Sequence, residues 1–350
     1  MLEPNHSSGC QDGSSNPTPF LGELGALQIY QPPWFLAGRH SGDIVSILDM
    51  GREMAIQEAS SSVARSKCFL CGEASEQVVW TEDGIEGLLC GCGMVYTNQP
   101  TVLEPLDLTR EFHPDYFYSL PAGFKAAWVA RNCPRGRLVE VGCGAGFFLA
   151  AARSRGYEVM GLEPNPAYDR ELQQMDIPLL HEFVEDNSLP RRSFDVVYHC
   201  DLLVHFPDPI RSLAAMCDLL SPVGVLCFEV GLLGGISPSW YPLVGKIGLG
   251  QHLWLYSDRA FKNLMRKAGL EIVRIQYFGL APEVLCGKIL GLLNKRLLRP
   301  VLQTISRDGA DRALRSNQSC VNFLRYRAGA LLPHIGPQTL LVVAKPTNVQ

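Results

Sequence analysis

From Arg137 onward, short apolar runs recur near residues 138–142, 157–163, 178–184, 194–200, 223–230, 270–277 and 339–345, with helical stretches between several of them. The runs are almost continuously apolar rather than alternating with polar residues. A strand buried on both faces reads that way, and the intervening helices supply the cover for those faces. The pattern predicts an α/β domain built on a doubly wound, mostly parallel, seven-stranded sheet. Ligands of such sheets bind at the carboxyl ends of the strands. That rule puts Gly142 to Gly146, Glu163, the pair Glu185 and Asp186, and the segment His199 to His205 on one rim.

Outside this pattern the chain is less regular. Residues 1–66 begin with a Ser-, Gly-, Asn- and Pro-rich stretch expected to be mobile, and Gly51 to Ala64 has the makings of a helix; the segment has no functional reading. Ser257 is a good N-cap for a helix over Asp258 to Gly269. Between the last two strands, residues 280–337 read as a helical insertion. There, Leu285, Ile289, Leu292 and Leu293 stand beside Lys288, Lys295, Arg296 and Arg299, and five further arginines follow up to Arg327. Solvated helical decoration is the commoner meaning of such a stretch. A lid, or a basic face over 284–327 that meets anionic substrates or a membrane surface, is the alternative.

The first strand of the series ends in Glu140-Val141-Gly142-Cys143-Gly144-Ala145-Gly146 and runs directly into a helix near Phe147. Glycine here lets the chain take positive φ and lets a ligand approach the backbone; a plain glycine turn is the competing reading. Glu163 ends the second strand, twenty-one residues after Gly142. An acid at that offset can accept hydrogen bonds from the two ribose hydroxyls of a nucleoside cofactor. A dinucleotide fingerprint would need a small residue at Phe147. The spacing E-x-G-x-G-x-G instead resembles motif I of the class I S-adenosylmethionine-dependent methyltransferases. The resemblance implies a Rossmann-like fold with S-adenosylmethionine as cofactor, held by Glu140, Gly142, Gly144, Gly146 and Glu163. It also implies an adenine contact from Glu185 or Asp186, and support of the glycine loop by Asp195.

Composition narrows the partners. The 350 residues are 47% hydrophobic and 19% charged with a formal net charge of −4, which argues against nucleic acid as the main partner. Met1 to Pro19 lacks the features of a signal peptide, and no stretch suits a membrane span, so a cytoplasmic protein is expected. In that setting the twelve cysteines are thiols or metal ligands rather than disulfides. Four cluster as Cys68-x-x-Cys71-Gly72 and Cys90-x-Cys92-Gly93, two knuckles that match the tetrahedral thiolate set of structural zinc, although the second knuckle is one residue short. Such a module at 67–106, followed by a methyltransferase domain at 107–350, is similar to the zinc-containing sugar C-methyltransferases. This resemblance implies methyl transfer to a small molecule, a sugar or sugar-derived metabolite, with His205 as candidate base, His252 as substrate contact or auxiliary base, and Tyr116 as substrate contact. Those enzymes place Glu before the second histidine, where this chain has Gln251. Two alternatives stay open: a non-catalytic binding protein on the same fold, and a nicotinamide-dependent oxidoreductase.

Overall fold

The computed structural model describes residues 67–98, 116–237, 240, 247–249, 252–279, 326, 327 and 329–347. The expectations for residues 1–66 and for most of 280–337, including the basic stretch from Val284 to Arg325, fall outside those residues, as does Gln251.

The described chain begins with the two cysteine knuckles and an antiparallel meander of Val78–Glu82 (β1), Ile85–Leu89 (β2) and Val95–Thr97 (β3). Asp83 and Gly84 join β1 to β2 with φ of 50° and 82°, the doubly left-handed turn that matches strand twist. Helix α1, Tyr116–Asn132, then leads into an alternation of strand and helix. It runs through Arg137–Val141 (β4), Phe147–Arg153 (α2), Glu158–Leu162 (β5), Asp169–Gln174 (α3), Leu179–Leu180 (β6), Phe194–Cys200 (β7), Pro209–Leu219 (α4) and Leu220–Leu232 (β8). A two-residue strand, Trp254–Leu255 (β9), precedes helix α5, Asp258–Lys267, and the strands Leu270–Phe278 (β10) and Gln338–Pro346 (β11).

Seven strands form one sheet in the order β10-β11-β8-β7-β4-β5-β6. The five from β8 to β6 are parallel, and β11 and β10 add on antiparallel at one end. The chain departs from β4 toward β5 and β6, then returns to lay β7 on its other side. This reversal opens the crevice in which ligands of doubly wound sheets sit. One face of the sheet, with Val139, Val197 and Phe228, packs on Leu213 and Met216 of α4 and Phe261 and Leu264 of α5. The opposite face, with Leu138, Val196 and Cys227, packs on Ala126 and Val129 of α1 and Phe148 and Leu149 of α2. Each fully buried Leu or Phe in these layers contributes about 1.5–3 kcal/mol.

Two expectations change. The third strand spans only Leu179–Leu180, because the chain leaves the sheet edge and winds into a 3-10 turn at Val184–Asp186. Asp195 does not support the glycine loop: it accepts from the Arg137 amide (2.9 Å) and the Ser221 hydroxyl (3.0 Å). In parallel neighbours the head of β7 lies beside the head of β4, at the end opposite the loop. The small sheet, finally, takes its fourth strand from β9, through Val95 opposite Leu255 and Tyr96 opposite Trp254.

Candidate active site

The rim is built where β4, β5 and β7 end. Gly142 closes β4 by donating to the Leu162 carbonyl (2.7 Å), and Gly142, Gly144 and Gly146 carry φ of 65°, 50° and 76°. Gly146 is the N-cap of α2, so the loop empties directly into a helix N-terminus. Glu163 reaches back across this turn. One of its carboxylate oxygens accepts from the Gly144 amide (2.9 Å), and the other accepts from the Asn165 amide (3.0 Å). Burial raises the Glu163 carboxyl above its usual range, opposed by the Gly144 and Asn165 amides. Tyr168 stands over Gly144, 3.6 Å from where a Cβ would be.

Beneath the loop, Glu140 is buried, with one carboxylate oxygen unpartnered among the described residues. Burial drives its carboxyl well up, and Lys125 opposes the shift. Tyr198, its cross-strand neighbour, also has an unpartnered buried hydroxyl, and its ring stacks on Phe148 at 3.7 Å. Sequence reasoning missed the group beside them. Lys125 of α1 forms a buried ion pair with Glu229 of β8 (3.0 Å) and donates to Cys200 Sγ (2.9 Å). The Tyr326 hydroxyl donates to Glu229 (3.2 Å). A carboxylate near the end of the apolar run Val223 to Val230 was the available signal, since a buried acid requires a partner.

The segment after β7 turns at Asp201, whose φ of 56° is unusual outside glycine and tolerated best by Asn and Asp. Its carboxylate accepts from the Gly231 amide (3.3 Å), which ties the turn to β8. The loop is then fixed from the far side. Leu253 donates its amide to the Val204 carbonyl (2.8 Å), Trp254 its indole N–H to the Phe206 carbonyl (2.7 Å), and Tyr256 its hydroxyl to the Leu203 carbonyl (2.9 Å). These contacts bring His205 and His252 together, with ring centroids 4.9 Å apart. Burial, with His205 beside it, lowers His252 to about 4, so the ring is neutral at pH 7. His199 lies elsewhere. It is fully buried on the α4 and α5 side of the sheet, stacked on Phe228 at 4.7 Å, and burial holds it at about 3.

Other predicted residues are placed as follows. Glu185 is bonded by the Ser212 hydroxyl, and exposed Asp186 lies 3.4 Å from Arg211. Tyr116 opens α1, but its side chain is outside the described residues. The four knuckle sulfurs all lie within 4.8 Å of one another, with Cys68 to Cys92 at 3.6 Å and Cys71 to Cys90 at 3.2 Å. Thiolates around tetrahedral zinc stand about 3.8 Å apart, so the set fits that ion, short C-x-C knuckle included. No described helix is long and apolar enough to cross a membrane.

A family model described as a methyltransferase domain matches residues 115–275. The chain is 30% identical over 192 residues to an uncharacterized methyltransferase of Mycobacterium sp. strain JLS, covering 50% of this chain and 73% of that protein. It is 29% identical over 157 residues to the ubiquinone biosynthesis O-methyltransferase of Ruegeria pomeroyi, covering 39% of this chain and 60% of that protein. Similarity to the tRNA U34 carboxymethyltransferase of Azotobacter vinelandii is 27% over 147 residues, covering 39% of this chain and 46% of that one. The chain thus spans 60% of the Ruegeria relative's length and less than half of the Azotobacter relative's.

Proposed function

Because the chain belongs to the methyltransferase family, we propose that it transfers a methyl group from S-adenosylmethionine to a small-molecule acceptor at the rim formed by β4, β5 and β7. The observation that carries this reading is Glu163, a buried carboxylate bonded to Gly144 at the glycine turn. Each of its oxygens keeps a lone pair for a ribose hydroxyl. The orphan oxygen of Glu140 suits a cationic group of the same ligand, and Gly144 leaves open the space a side chain would fill.

S-adenosylmethionine supplies, when bound, a sulfonium methyl whose bond to sulfur breaks, with its electron pair going to sulfur, as the acceptor bonds to the carbon. The chain's own task is to orient the acceptor in line and to take its proton. His205 serves as the base, and neutral His252 beside it contacts the acceptor. The closed tetrahedral set of Cys68, Cys71, Cys90 and Cys92 holds zinc in a structural role, with no open position for a reactant.

A sugar or sugar-derived acceptor is the finer reading, supported by the order of cysteine module and methyltransferase domain and by the two adjacent histidines. The test is calorimetric titration with S-adenosylmethionine, followed by S-adenosylhomocysteine release over panels of nucleotide sugars, quinols and RNA. Micromolar binding that Glu163→Ala abolishes, with turnover on a sugar, is the expected result. Binding with turnover only on RNA would overturn the acceptor, and no binding at all would favour a non-catalytic scaffold.

A further inference from the structure

Glu82 closes the β1 strand of the cysteine module, yet its carboxylate is spent on the distant segment before His252. One oxygen accepts from the Ile247 amide, and the other accepts from the amides of Gly248 (2.7 Å) and Leu249 (3.0 Å). Three consecutive backbone N–H groups converging on one anion form a nest, a geometry that needs a left-handed residue within it. Gly248, at φ of 74°, provides that residue. Ile247 and Leu249 flank it, both buried, so these amides need partners that water does not supply.

The same peptides hold the histidine. The Ile247 carbonyl accepts from His252 Nδ1 (2.5 Å), and the His252 amide donates to the Gly248 carbonyl (2.9 Å). A carbonyl oxygen only accepts, so Nδ1 carries the proton and the neutral ring leaves its lone pair on Nε2. Ile247 therefore links the two groups: its N–H faces the Glu82 carboxylate and its C=O faces the imidazole. The β3 to β9 pairing, and Trp254 packed on Phe69 of the first knuckle at 4.5 Å, fix the other side of the same turn.

We propose that Glu82 is a positioning residue for the methyl-transfer site, by which the cysteine module sets the tautomer and place of His252. The proposal rests on reading the His205 and His252 pair as facing the acceptor. Without the carboxylate the nest has no anion, the 247–249 turn opens, and the Ile247 carbonyl no longer selects Nδ1–H. Among the described residues, the other titratable groups acting on His252 are His205, which disfavours its protonation, and Asp201, which favours it.

The test uses the full chain labelled with 15N, with long-range imidazole correlation spectra recorded across pH and His252 assigned by His252→Gln. In the unaltered protein the expected pattern is protonated Nδ1, unprotonated Nε2 and a midpoint near 4. In Glu82→Ala the Nδ1–H form gives way to a tautomer mixture, and the midpoint rises by about one unit, tenfold in proton affinity. Glu82→Gln, which keeps a single acceptor oxygen, falls between, and it decides the matter should the alanine variant not fold. Glu86→Ala, which removes a contact with Asn98 in the same small sheet, leaves His252 unchanged. A folded Glu82 variant with the unaltered protein's His252 shifts and midpoint would overturn the proposal. Titration of the same samples with S-adenosylmethionine tests the methyltransferase reading separately, since the imidazole spectra are recorded without cofactor.

Discussion

Three buried ionisable groups set the pH behaviour of the rim and of the fold. In the proposed cofactor site Glu163 must be ionised to accept from two ribose hydroxyls, and burial raises its carboxyl. Affinity for S-adenosylmethionine is therefore full above that raised pKa and falls on acidification earlier than an ordinary carboxylate would dictate. Glu163→Gln keeps the shape but removes the charge. At about 1.5–3 kcal/mol for hydrogen bonds to a charged group, the dissociation constant rises about 10- to 100-fold, read by calorimetry at pH 7.5. The histidines act on stability in the same sense, with loss on acidification. His252 and His199 are lowered to about 4 and about 3 by burial. Below pH ~6.5 the unfolded chain takes up protons that the folded chain refuses, so their contribution is present above that pH and is lost as pH falls toward the folded values. For His252 the full loss is about 3 kcal/mol. His199→Phe, which replaces two unpartnered ring nitrogens with carbon, should flatten the acid limb of a urea-unfolding series between pH 7 and 4.5. An unchanged slope would mean that His199 protonates freely in the folded state.

At the scale of elements, the three loop glycines divide the work. A Cβ on Gly142 would meet Leu202 at 2.7 Å, and one on Gly146 would meet Leu172 at 2.5 Å, so both positions are closed by packing between the loop and its neighbours. A Cβ on Gly144 would meet nothing nearer than Tyr168 at 3.6 Å, so that position is the one left open for the proposed cofactor. All three carry positive φ, which costs an alanine about 1–2 kcal/mol. Gly144→Ala is expected to lower stability by no more than that while losing cofactor binding. Gly142→Ala and Gly146→Ala are expected to cost more, by ~2 kcal/mol, because Leu202 and Leu172 must also move. Thermal unfolding with and without S-adenosylmethionine separates the two classes. Equal stability losses at all three positions would remove the distinction. The strand, loop and helix were legible because near-continuous apolar runs and a glycine spacing are local signals. The shortness of β6 and the length of β8 were not, because they depend on what each strand pairs with.

At the scale of the molecule, the legible parts were those whose chemistry is written in one short segment: the glycine loop, Glu163 and the cysteine knuckles. Lys125 with Glu229, and Glu82 with the 247–249 turn, join residues 104 and more than 160 positions apart, and no local pattern announces such a pair. The same holds for β9, two residues that complete a sheet begun at Val78. Given this interleaving, a zinc ion held by the knuckles would bear on the proposed rim as well as on the small module. The thiols of Cys68 and Cys90 are raised by burial, Cys90 to about 11, which leaves them protonated unless a cation takes the proton's place. Elemental analysis should find about one zinc per chain. Its removal by chelation, or Cys92→Ser, withdraws the closure that holds Phe69 beneath Trp254 and β3 beside β9. Amide exchange is then expected to quicken across β1 to β3 and residues 252–256, while α2, whose contacts lie with α1 and β5, keeps its protection. A metal-free protein with full protection in residues 252–256 would show that thiol packing alone closes the module. Quickening confined to the knuckles would show that the small sheet holds the histidine turn without the ion.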